Sequence, residues 1–90
     1  MKFEWDPAKG AANKIKHGIG FTEAEGLWHD DNRVEIHLAY PLESRRIIIG
    51  RLKDKHWTAV FTIRGENTRI ISVRRSREKE VALYDKEKIG

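Results

Sequence analysis

Arg69, Arg74, Arg75 and Arg77 fall within nine positions of one stretch, TRIISVRRSREKE, residues 68–80. Guanidinium groups carry a permanent charge and meet phosphate oxygens two at a time. Three of the four stand at or beyond the end of what reads as a buried strand, just before a helix whose N-terminus would itself attract an anion. The cluster has the make-up of a phosphate cradle. The plainer use of the same residues is in ion pairs with Glu78, Glu80 or carboxylates near the N-terminus. The cradle reading requires the guanidinium groups of the last hairpin to stand free in water.

A phosphodiester with a neighbouring hydroxyl, as in RNA, can be cut by that hydroxyl. A protein then has to activate the 2′-oxygen, stabilise the extra charge on phosphorus and protonate the leaving 5′-oxygen. Arginines suit the second task, and Arg64 and Arg74 are the leading candidates. Lys16, His17, Glu80 and Tyr84 are candidates for proton transfer. Each also has a structural use. His17 lies in the last turn of a helix, where the dipole favours a positive charge. Lys16 can be a solvated lysine, Glu80 an arginine's partner, and Tyr84 a core residue with its hydroxyl bonded. Trp5, Trp28 and Trp57 read as core rather than as base-stacking platforms. Asp30, Asp31, Glu35, His29 and His37 offer hard ligands but no recognised metal spacing, so they read as surface polarity. No cofactor or metal is expected.

Positioning these groups falls to a chain of 90 residues, enough for one domain over residues 1–90. Charge is unevenly placed. Residues 1–44 hold five Lys/Arg and eight Asp/Glu, a balance of −3; residues 45–90 hold thirteen and six, a balance of +7; the two sum to +4. A basic half favours a polyanionic partner. There is no cysteine, no apolar run of the roughly 18–20 residues that cross a bilayer, and no apolar leader at the N-terminus. A cytoplasmic location, away from membranes, is the expectation.

The element order reads strand, helix, helix, four strands, helix. KFEW, residues 2–5, is a short strand. Asp6 caps the first helix, Pro7 opens it and Gly18 ends it. On it, Ala8, Ala11, Ala12 and Ile15 form one stripe and Lys9, Asn13 and Lys16 another. Thr22 and Glu25 form a capping box for a second, short helix ending near residues 29–32. RVEIHLAY, residues 33–40, alternates with Val34, Ile36, Leu38 and Tyr40 on one face. Residues 45–52, 56–64 and 68–75 are three more strands, joined by turns short enough to force antiparallel pairing. Ser76 caps the last helix, with Val81 and Tyr84 inward. The fold class is α+β: a four-stranded antiparallel meander with two N-terminal helices, a short N-terminal strand and a C-terminal helix.

A three-residue loop at Gly65–Asn67 would set Arg64 opposite Thr68, Thr62 opposite Ile70, Val60 opposite Ser72 and Thr58 opposite Arg74. One face would then carry Thr58, Val60, Thr62, Arg64, Thr68, Ile70, Ser72 and Arg74. The core face would carry Trp57, Ala59, Phe61, Ile63, Arg69, Ile71 and Val73. A loop of other parity would reverse part of this. Arg64 and Arg74 would stand roughly 20 Å apart at ~3.3 Å per residue, suited to successive phosphates rather than to one.

These motifs resemble the BrnT family, the toxin half of a type II toxin–antitoxin pair. The family's F-x-W-D-x-x-K, N-x-x-K-H-G and F-x-E-A elements are matched by Phe3, Trp5, Asp6 and Lys9, by Asn13, Lys16, His17 and Gly18, and by Phe21, Glu23 and Ala24. In the second half, IIIGRL, VFTIRGENTRIISVRRSREKE and Tyr84 are similar to the family's I-G, T-x-R, R-I-I-S-x-R and E-x-x-x-Y elements. Ser76 departs from a common alanine. The resemblance implies a RelE-like fold and a metal-independent endoribonuclease that inhibits translation. It implies Arg64, Arg74, Lys16, His17, Glu80 and Tyr84 as the catalytic set, with Arg69, Arg75, Arg77 and Lys9 binding RNA. It also implies a BrnA-type ribbon-helix-helix antitoxin as partner, in a hetero-oligomer such as two toxins with two antitoxins, reaching operator DNA through the antitoxin. The alternative from the residues alone is a non-catalytic module that binds nucleic acid or a protein partner.

Overall fold

The computed structural model describes residues 1–39, 41 and 44–89, with side chains up to residue 86. Strand β1 (Lys2–Glu4) leads into helix α1 (Pro7–His17), the one-turn helix α2 (Phe21–Ala24) and a 3₁₀ segment (Glu25–His29). Strands β2 (Val34–His37), β3 (Arg45–Leu52), β4 (Lys55–Arg64) and β5 (Asn67–Arg75) follow, and helix α3 (Glu78–Ile89) closes the chain. β2 is shorter than the alternation from 33 to 40 implied, and Tyr40 lies outside the described residues.

The meander is present, but the sheet has five strands, in the order β1-β5-β4-β3-β2. β1 joins it parallel to β5, with Phe3 beside Thr68 and Glu4 beside Arg69. The four-stranded expectation is corrected on this point. Three residues carry too little periodicity to announce a partner, and a parallel pairing needs a long connection that sequence distance hides.

Helix α1 starts and stops as its punctuation implied. Asp6 accepts from the Ala8 N–H at 2.9 Å, and Gly18 takes the left-handed conformation (φ 79°) that ends the helix. Its faces are reversed, however. Ile15 is 88% exposed, and Ala8, Ala11 and Ala12 also face water. The buried positions are Gly10 and Asn13. β1 ends at Arg69, so β5 has a free edge beyond it, and α1 lies along that edge. There the Asn13 amide donates to the carbonyls of Val73 and Ile19, both at 2.9 Å, and accepts from the Val73 N–H at 3.1 Å. The side chain stands in for a missing strand, which a buried edge requires.

The other two cap expectations shift. α2 begins at Phe21, and Glu23, not Glu25, reaches back to the Gly20 N–H at 3.3 Å; Thr22 is inside the helix. For α3 it is Arg77 that precedes the helix, with Glu80 accepting from the Arg77 N–H at 2.7 Å. Ser76 does not cap; its hydroxyl meets Thr58 Oγ1 at 2.8 Å.

The core lies between the sheet and the N-terminal helical layer. Ile19, Phe21, Ala24, Leu27 and Trp28 pack against Ile48, Trp57, Ala59, Phe61, Ile70 and Val73. Trp28 stands edge-on to both Phe3 and Phe61. A Cβ on Gly50 would lie 2.9 Å from Leu27 Cδ2, so only glycine lets the 3₁₀ segment sit this close to β3.

Candidate active site

The register of the last hairpin decides which arginines share a face. The loop is Gly65–Glu66, two residues long, and Arg64 pairs with Asn67, Thr62 with Arg69 and Phe61 with Ile70. A bulge then inserts one residue, so that Val60 pairs with Ser72 and Thr58 with Arg74. The expected pairing is therefore right at the bulge's far side and wrong next to the loop. Thr68 and Ile70, both buried, belong to the core face. Arg69 moves off it and joins Thr62 and Arg64 on the outer face. Two errors of one residue cancel at the bulge, which is why Arg74 was placed correctly.

Across the strands, partners Arg45, Thr62 and Arg69 form a row on this outer face, with Glu4 next to Arg69. Ile36, Ile47, Val60 and Ser72 form the next row, and Val34, Ile49, Thr58 and Arg74 the one after. Arg45, exposed at the start of β3, was missed in the sequence. The signal was its parity with Ile47 and Ile49, readable once β3 is paired with β4. Helix α3 covers the far end of this face, above Thr58, which has no exposed surface.

Under the start of α3, Arg74 meets Glu80 end-on, Nη1 to Oε1 and Nη2 to Oε2, both at 2.8 Å. Oε1 also accepts from the Arg77 N–H and, at 3.1 Å, from Thr58 Oγ1. Arg74, first, and then the Arg77 N–H and Thr58 hold the Glu80 carboxyl at about 2, against the cost of burial. The same pair raises Arg74 further above its ordinary value. Arg74 Nη1 donates in addition to the Arg75 carbonyl at 3.3 Å. Among the described residues the Nε–H and one Nη2–H have no partner, the edge of the fork that would suit an anion.

The expectation of freely standing arginines is thus corrected for Arg64, Arg69 and Arg74, which take the plainer use set against it, ion pairs with Glu80 and the N-terminal Glu4. Arg74 is pinned by Glu80. Arg69 donates to Glu4 Oε2 at 2.8 Å, and the more exposed Arg64 approaches the same oxygen at 3.7 Å. Asn67 and Arg69 together hold Glu4 below the ordinary carboxylate range. Arg75 is exposed on the opposite face, its guanidinium 5.5 Å from the centre of the Trp57 ring. Arg77 is exposed, and its side chain has no partner among the described residues.

Tyr84 lies one turn after Glu80 on the same face of α3, over His56 where Glu80 is over Thr58. Its hydroxyl donates to Asp30 Oδ2 at 2.8 Å and its ring stands edge-on to His56. Burial, aided by Asp30, pushes its phenol up to about 12. Burial opposes the charge on Asp30, but the Asn32 N–H, the Tyr84 hydroxyl and the Arg51 N–H outweigh it and keep that carboxyl low. Asp30 is thus a fastener between the 3₁₀ segment, β3 and α3.

Helix α1 leaves the level of Glu4 and reaches Val73 at Asn13. Four more helical residues advance about 6 Å, as do two strand residues. Lys16 and His17 therefore come level with Arg75, at the C-terminal end of β5. The β3–β4 turn, with Lys53 and Lys55, closes the same end, because Trp57 pairs with Arg75. Arg74, Arg77 and Glu80 thus meet under the start of α3, Arg75 stands on the opposite face of the sheet, and Lys16 and His17 end α1, which packs on β5. The fold leaves Arg64 and Arg69 at the other end of the sheet, Tyr84 buried one turn beyond Glu80 on the same sheet-facing side of α3, and Lys9 exposed on α1. Among the described residues no cluster of three or more His, Cys, Asp or Glu side chains has the arrangement to hold a metal ion, and no helix is long and apolar enough to cross a membrane.

A basic α+β domain with an arginine held ready at a cation-rich sheet end is the class of protein this architecture defines. Over residues 5–80 the chain matches the family described as the ribonuclease toxin, BrnT, of type II toxin–antitoxin systems. It belongs to that family of ribonuclease toxins, whose partners are an antitoxin and RNA. No curated protein matches it.

Proposed function

We propose that this chain is an endoribonuclease that cuts RNA through its own 2′-hydroxyl, needs no metal ion, and inhibits translation until a BrnA-type antitoxin binds it. The observation that carries the reading is the Arg74–Glu80 pair: a guanidinium fixed along one edge, with no partner on its other edge among the described residues, at the end of β5 where Arg75 and Arg77 follow it in the chain. Such a group stabilises charge developing on a phosphorane without reorganising. In this reading Glu80 holds Arg74 and does not move a proton, since a carboxyl near 2 is a poor acid and a weak base at neutral pH. Tyr84 anchors α3. Proton transfer falls to His17 and Lys16. Arg75 and Arg77 bind phosphates next to the scissile one. Lys9, Arg64 and Arg69 hold flanking nucleotides. The antitoxin contributes a ribbon-helix-helix domain, in a complex such as two toxins with two antitoxins, and brings it to operator DNA.

Incubating RNA with the protein in EDTA, and examining the new ends, tests this. Cleavage with 2′,3′-cyclic phosphate ends is expected, and Arg74→Ala should reduce it at least 100-fold while the variant folds and still binds antitoxin. Salt-sensitive RNA binding without any cleavage would make the chain a binding module instead. Cleavage that EDTA abolishes and a divalent ion restores would end the metal-independent mechanism.

A further inference from the structure

A groove of about 480 Å³ opens on the core face at the same end of the sheet, between α2 and the β3–β4 turn. Its floor is apolar, made by Ile19, Leu52 and Trp57, and its rim carries Lys53, Lys55 and Glu23. Arg75 lies over Trp57 beside it. The volume is in the range that binds small organic groups. The groove is distinct from the Arg74–Glu80 pair, which sits on the opposite face, while Gly18, next to His17, lines it. The two meet at the end of β5, where successive residues Arg74 and Arg75 point to opposite faces.

The turn that forms one wall is strained. Leu52 pairs with Lys55, so Lys53 and Asp54 form a two-residue loop, and both are left-handed (φ 50° and 65°). Such a loop is ordinarily built from Asn-Gly, because other side chains cost about 1–2 kcal/mol per residue there. That geometry fixes the hairpin and holds Lys53 at the rim of the apolar groove. Neither Lys53 nor Lys55 makes a close ion pair among the described residues, though Lys53 acts on the Glu23 carboxylate through space; Glu23 is bonded by Lys14 and Asp54 by Arg51. An apolar slot edged by cations matches an unpaired base with its phosphates. Single-stranded RNA offers that combination, and bases are held by stacking on aromatic and guanidinium planes.

We infer that this groove is a nucleobase subsite, taking one unpaired base of the RNA next to the phosphate held by Arg74. The inference rests on the ribonuclease reading and deepens it by adding a position at which the enzyme can discriminate substrates. The backbone passes over the end of β5, its phosphates meeting Arg75, Lys53 and Lys55, and the base turns in against Leu52 and the Arg75–Trp57 stack.

A 2′-O-methyl RNA decamer, which lacks the attacking hydroxyl, serves as probe. Bases are removed one position at a time and affinity is measured at fixed salt. Loss of one particular base should weaken binding about tenfold, and this penalty should largely vanish in Arg75→Ala, an exposed position whose change leaves the core intact. Lys55→Ala should weaken every decamer alike. No base-specific penalty at any position, or one unchanged in Arg75→Ala, overturns the subsite while leaving the ribonuclease reading in place. Unchanged decamer binding in both variants, with weakened binding of the co-expressed antitoxin, would assign the groove to the protein partner and equally overturn it. A wild-type protein that binds no decamer at low salt but folds normally would instead count against the ribonuclease reading itself.

Discussion

Glu80 shows how much one carboxylate is asked to do. Three side chains or backbone groups donate to it, and it fastens the N-terminus of α3 to the sheet through Arg74, Arg77 and Thr58. Its folded value of about 2 lies below the ordinary 4.5, so the folded state binds its proton more weakly than the unfolded state does. The stabilisation is complete above about pH 4.5 and is lost as pH falls towards 2. After allowance for solvent screening, roughly 2 kcal/mol should disappear across that window. Glu80→Gln should lose a similar amount at pH 7 and should flatten the dependence; urea unfolding at a series of pH values between 6 and 2 measures both. If His17 moves the proton, cleavage by His17→Gln should fall by about 100-fold or more while RNA binding is kept, and single-turnover rates of the two proteins test this. Pairing of Glu80 with an arginine is one reading of the sequence, set beside a role for each in the chemistry. An i,i+6 spacing across a strand end and a helix start has no fixed geometry, so neither residue could be assigned to hold the other without coordinates.

Elements were legible where local rules govern them. Asp6, Pro7 and Gly18 bound α1 through backbone constraints that neighbours cannot override. β3, β4 and β5 begin and end within one residue of their expected limits, because alternating apolar residues and short turns leave little choice. What failed was anything set by a distant partner. The stripe of Ala8, Ala11, Ala12 and Ile15 satisfies the amphipathic rule yet faces water, since the edge of β5 needed hydrogen bonds more than α1 needed apolar contact. Asn13 answers that need, and Asn13→Leu should cost about 3 kcal/mol by leaving the Val73 N–H and two carbonyls without it. Faster hydrogen exchange at Val73 would mark the same loss locally. The β3–β4 turn makes the opposite case. Replacing Lys53 and Asp54 by Asn-Gly should relieve the left-handed strain and stabilise the protein by about 1–2 kcal/mol. The same change removes a rim cation, so RNA should bind more weakly to the more stable protein; thermal unfolding and decamer binding, measured side by side, separate the two effects.

At the scale of the whole molecule, the charge imbalance was readable but its shape was not. The basic second half does not form one basic hemisphere, because a meander carries the chain back and forth between two ends of the sheet. Lys53, Lys55, Arg74, Arg75 and Arg77 collect at one end, joined by Lys16 from the acidic first half. Arg45, Arg64 and Arg69 collect at the other, where Glu4 offsets part of their charge. An RNA strand that lies across both ends must cross the outer face, past Thr62 and Ser72. Binding strength should then fall with salt in proportion to the phosphates engaged, about 0.7 in log–log slope for each one on a single strand. Arg77→Ala and Arg64→Ala should each lower the slope by about that amount for a decamer, because each removes one cation from the track. Their effects on chemistry should differ. Arg64 is roughly 20 Å from Arg74 along the hairpin, too far to touch the same phosphorus, so Arg64→Ala should keep the single-turnover cleavage rate at saturating RNA. A large fall in that rate with an unchanged slope would mean that Arg64 reaches the reacting phosphate, and that the chemistry sits on the outer face rather than at the end of β5.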